Sequence, residues 1–75
     1  MKEFTDKYLN NVIEKHLEEI RQSINTRDVK KIEYWITKTK TYLNFYKEHS
    51  DDLFNKVRLN QEFIHYNCKY LAIIK

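Results

Sequence analysis

Cations alternate with aromatic rings along one short stretch of this 75-residue chain, and that alternation is its most chemically suggestive pattern. At 100° per residue Arg27, Lys31, Tyr34, Lys38 and Phe45 fall within roughly 60° of arc, with Trp35 and Tyr42 along the border. Such a strip suits a protein partner that offers an acidic, apolar groove; it also suits a nucleic acid or another anion, through phosphate contact and stacking. Trp35 and Tyr42 are large enough that packing inside the fold explains them more simply than binding does. The charge is modest for nucleic acid: the chain carries +3, and Glu33 and Glu48 dilute the strip itself. The breaks between helices also lack the Gly-containing turn of a helix-turn-helix.

Other reactive residue types are scattered. Cys68 is the single cysteine, so an internal disulfide is excluded and a multi-cysteine metal site is not available. On a mostly apolar stretch it reads as a small core residue rather than a nucleophile. Glu62 and His65 have the Glu-x-x-His spacing used by di-iron bundles, but no second copy of the motif occurs and both fall on a polar face. His16, between Val12 and Ile20, is expected to be a packed histidine holding one hydrogen-bond partner. There is no nucleophile–base pair, enclosed carboxylate pair or phosphate cradle in the pattern. We therefore expect no enzyme, no cofactor and no metal.

The elements that carry these residues are helical. Gly and Pro are both absent, which makes tight hairpins and glycine-rich phosphate loops improbable. Tyr8, Leu9, Val12, Ile13, Leu17, Ile20 and Ile24 recur at three and four, predicting a first helix over about 5–24, capped by Thr5 or Asp6. A break at Asn25-Thr26 precedes a second helix over about 26–49, in which Val29, Ile32, Ile36, Thr39, Leu43 and Tyr46 form an unbroken seam. Lys and Arg outnumber acids six to three from Asn25 to His49, so the net charge of the chain resides there. Ser50-Asp51-Asp52 supply the next cap, and a third helix over about 51–74 follows.

That third helix has two apolar stripes. Leu53, Val57, Ile64, Cys68 and Leu71 form one; Leu59, Phe63, Tyr66, Tyr70 and Ile73 form the other, and together they span roughly 220°. One neighbour cannot cover such an arc. The expected fold is all-α: three long antiparallel helices in an up-down-up bundle, dimerised or swapped through the third helix. The self-associating surface is assigned to Leu59, Asn60, Phe63, Tyr66, Asn67, Tyr70 and Ile73, with the two Asn side chains fixing register across the interface.

A domain this small buries only about 60% of its unfolded surface, which also favours a partner or a second copy. Its 41% hydrophobic content argues against disorder. No apolar run approaches a membrane span, and the polar opening Met1–Asp6 does not resemble a secretory leader. The expectation is a cytoplasmic, non-catalytic interaction protein that binds itself and a macromolecule, most simply another protein, and modulates or inhibits it. Abundant Lys, Asn, Ile and Tyr fit an AT-rich bacterial or phage gene.

Overall fold

Three helices account for nearly the whole chain in the computed structural model, which describes residues 2–75 and the side chains from Asp6 onward. They are α1 (Lys2–Thr26), α2 (Val29–His49) and α3 (Leu53–Ile74). Packed side by side they make a bundle 41 Å long and about 16 Å across. With connections of two and three residues, successive helices must reverse direction. No strand occurs among the described residues.

α2 ends at His49 and α3 at Ile74, where the spacing puts them; the other boundaries differ, and capping chemistry explains those between the helices. α1 starts at Lys2, before either Thr5 or Asp6. It also runs through the expected break at Asn25-Thr26 and stops only at Arg27. There the Arg27 N–H donates to the Ile24 carbonyl and the Asp28 N–H to that of Ser23, both at 3.1 Å. These two reversed bonds satisfy carbonyls that the helix end leaves open. The motif needs a left-handed residue, and with no glycine in the chain Arg27 takes that role at φ 57°. Asp28, expected inside the second helix, is instead its N-cap and accepts from the Lys31 N–H at 3.3 Å.

The second connection divides its labour. Ser50, expected to cap the third helix, closes α2 through its N–H to the Tyr46 carbonyl at 2.8 Å. Its hydroxyl accepts from the Asp52 N–H at 3.0 Å. Asp52 is the true cap of α3 and accepts from the Asn55 N–H at 3.1 Å. Ser50 is buried, so this corner is packed as well as hydrogen-bonded.

Leu9, Ile13, Leu17 and Ile20 of α1 meet Leu43 and Tyr46 of α2 and Leu59 of α3 in one cluster. α1 and α2 are the most extensively packed pair. Thr39 is fully buried in the α2 seam, and its hydroxyl is satisfied by the Trp35 carbonyl one turn back. Glu14 and Glu18, adjacent like charges on α1, are separated by their partners. Glu14 accepts from Arg58 of α3 at 2.8 Å, while Glu18 is engaged by Arg21 of its own helix.

Candidate interaction surfaces

The outer side of α2 presents most of the cation–aromatic strip to solvent. Lys31, Tyr34, Lys38 and Phe45 are all exposed, with Tyr34 at 52% and Phe45 at 47%. The seam of α2 turns the opposite way, so these side chains contribute nothing to the core. Lys38 places its ammonium 5.1 Å from the centre of the Tyr34 ring, within cation–π range. Tyr34 in turn stands edge-on to Trp35 at 5.0 Å. Further along, Phe45 lies 4.2 Å from the His49 ring. Arg27 is exposed too, but it belongs to the preceding turn and not to α2.

Trp35 and Tyr42 pack against the hydrophobic cluster, as their size suggested. Between them sits His16 of α1, 5.1 Å from Trp35 and 5.2 Å from Tyr42. The hydrogen-bond partner expected for His16 is missing: its Nδ1 is buried with none. Ring contacts hold the imidazole instead. Burial lowers its pKa from the ordinary histidine value, nearby Lys38 lowers it further, and Glu19 opposes both. His16 is therefore neutral at pH 7, and the aromatic wall behind the strip carries no charge of its own.

α3 reverses the expected roles of its two stripes. Leu59 is completely enclosed, and Phe63 and Tyr66 pack on the core cluster. The Tyr70 hydroxyl donates to Glu33 of α2 at 2.6 Å, which raises its own pKa. Ile73 is half-buried beside a hollow bordered by Ile24 and Lys69. Leu59, Phe63, Tyr66, Tyr70 and Ile73, five of the seven residues assigned to self-association, thus help to close the bundle, with Leu59 wholly enclosed and the others half-buried. The physical reason is size: three large aromatics fill more of the gap above α1 and α2 than Val57, Ile64 and Cys68 would, and tyrosine hydroxyls can still reach polar groups at the rim. Asn60 and Asn67 lie at the edge between the inner and outer stripes, half-buried, with Lys47 of α2 donating to the Asn60 carbonyl oxygen at 3.5 Å.

The other stripe faces out. Leu53 is 71% exposed, Phe54 77% and Ile64 51%, and Val57, Leu71 and Ile74 are exposed to a similar degree as Ile64. The spacing marks Leu53, Val57, Ile64 and Leu71 as an apolar stripe but assigns self-association to the other one; Phe54 and Ile74 belong to neither stripe. Cys68, expected in the core, is exposed with them. Arg58 borders this face and anchors α3 to α1 through Glu14, with the Asn10 carbonyl oxygen at 3.4 Å.

Glu62 is drawn toward Arg58 at 3.7 Å rather than toward His65. Among the described residues no three His, Cys, Asp or Glu side chains converge on one point. No helix among them is long and apolar enough to cross a membrane. No family model matches the chain, and comparisons with curated proteins and with solved structures find no match to it.

Proposed function

We propose that this chain is a non-catalytic interaction protein that docks on another protein through the outer face of α2 and modulates or inhibits it. One observation carries the reading: Tyr34 and Phe45 stand half-exposed among Lys31 and Lys38 although the bundle closes without them. Exposed aromatics beside cations are the residue types that dominate the energy of protein interfaces. The lone cysteine, exposed at Cys68, suits a reducing compartment such as the cytoplasm.

The test is capture of partner by the wild-type chain and by a Tyr34→Ala/Lys38→Ala/Phe45→Ala variant, compared by quantitative mass spectrometry. Loss of the captured protein is expected, with helicity and Tm unchanged because none of the three is a core residue. Full retention by the variant places the docking surface elsewhere and ends this reading.

The Lys38–Tyr34 contact also favours a second reading, in which the same strip binds nucleic acid by stacking and phosphate contact. Salt separates the two. With Arg27, Lys31 and Lys38 engaged, log affinity falls against log salt with a slope of roughly −2 to −3. A flat response eliminates nucleic acid.

A further inference from the structure

The geometry points to a second copy of this chain, laid parallel and in register, as the occupant of the exposed stripe of α3. Leu53, Val57, Asn60, Ile64, Asn67 and Leu71 are separated by four, three, four, three and four residues. This is a heptad seam sustained over the length of the helix, the spacing that accepts another helix along its whole length. None of these six positions is charged, although Lys47 of α2 reaches Asn60 from the side. The seam is also separate from the α2 strip, so the inference stands whether or not that strip binds a partner.

Area decides what kind of association this is. α3 has 22 residues, and a third of a helix circumference over that length amounts to on the order of 450 Å². That is within the range at which an apolar patch on a single chain marks a binding surface. Two copies bury about 900 Å², and the neighbouring Phe54 and Gln61 raise the total to about 1,000 Å², the lower limit for a specific interface. The dimer is therefore reversible, not obligate.

The two asparagines select both the occupant and its direction. Asn60 and Asn67 hold the same heptad position, so in a parallel pair each meets its own mate, amide to amide. Antiparallel layering opposes the two kinds of seam position and sets Asn60 or Asn67 against Ile64, Val57 or Leu71. Lys47 already donates to the Asn60 carbonyl oxygen, so the cost of a buried amide without a partner, about 1–3 kcal/mol, falls chiefly on Asn67. An unrelated helix would have to present matching amides one heptad apart. Charge agrees with the parallel arrangement, since Lys56 at the flank faces the partner's Gln61 and no like charges meet across the seam.

Sedimentation equilibrium of the full chain tests this between roughly 1 and 500 µM, the range suited to an interface of this size. The mass should rise from the 9.3 kDa monomer toward twice that value. Ile64→Asp should weaken the association at least ~100-fold, because it opposes two carboxylates at the centre of the seam. Its circular dichroism should stay helical, since Ile64 lies outside the core. On a Cys68→Ser background, Leu53→Cys should form a disulfide-linked pair under mild oxidation, whereas an antiparallel pair holds the two positions about 30 Å apart. A single-chain mass throughout, or self-association that survives Ile64→Asp, overturns the proposal. Association without the Leu53→Cys cross-link overturns the parallel register. Partner capture by Ile64→Asp, measured alongside, keeps a failure here distinct from a failure of the α2 reading.

Discussion

Arg27 shows how a single residue can hold backbone strain when the composition removes the usual remedy. Its left-handed conformation costs a residue with a Cβ roughly 1–2 kcal/mol, and its exposed side chain offers no hydrogen bond in return. Arg27→Gly is therefore expected to stabilise the bundle by about 1 kcal/mol, net of glycine's greater unfolded-state entropy. Chemical denaturation reads this as a higher midpoint at unchanged slope. A lower midpoint would show that the turn is held by something other than its two reversed hydrogen bonds.

His16 governs a pH dependence of definite sign. Because its folded pKa lies below that of the unfolded chain, the unfolded state binds the extra proton first as pH falls. Stability is then full above about pH 7, declines as pH drops through about 6.5, the unfolded value, and levels off below the lowered folded value. Glu18 does not interfere: hydrogen bonds from Arg21 and Gln22 hold its carboxyl at about 2 in the fold, and its stabilisation is lost only as pH falls through the unfolded value of 4.5, below the range tested. Thermal melts from pH 7.5 to 5 should show the decline in the wild type and a flatter profile in His16→Phe, which keeps a ring between Trp35 and Tyr42. An equal decline in both proteins would assign the effect to other groups.

At the scale of the element, α3 is a helix with two apolar stripes and room inside for one. The two stripes make opposite predictions. Leu59→Ala leaves a cavity where α1, α2 and α3 meet and is expected to cost about 3 kcal/mol, or ~15 °C in Tm for a domain of this size. Val57→Ala, two residues away on the outer stripe, should change the stability of the single chain by less than about 0.5 kcal/mol. Melting both variants at low concentration, where the chain is single, tests the assignment. Similar losses would mean that the helix is rotated from the orientation described. Three- and four-residue spacing revealed all three helices. It placed the ends of α2 at His49 and α3 at Ile74 but misplaced the boundary between α1 and α2 and the start of α3, because Asn25 and Thr26 resemble caps by type while the capping bonds are formed at Arg27, Asp28 and Asp52.

For the whole molecule, one narrow bundle supports two exposed surfaces of different character. The α2 strip combines aromatic rings with cations, whereas the outer stripe of α3 is uncharged. Their independence is itself a prediction: the Tyr34→Ala/Lys38→Ala/Phe45→Ala variant should self-associate like the wild type. Sedimentation of that variant would contradict the separation if its mass stayed at one chain. The tie between Arg58 and Glu14 across α1 and α3 is partly solvated, so Arg58→Met should cost no more than about 1 kcal/mol by denaturation.

Composition and periodicity alone determined that this chain is helical, has three segments, lacks the means for tight turns of the glycine type, and holds more apolar surface on its third segment than one neighbour covers. Those properties are local: they depend on residue type and on the angle between successive side chains. Which stripe of α3 turns inward, and whether Trp35 faces the core or Tyr34 faces water, depends on the shape of the gap left by the other two helices. Aromatic volume filled that gap better than aliphatic volume, and only the packed bundle contains that comparison.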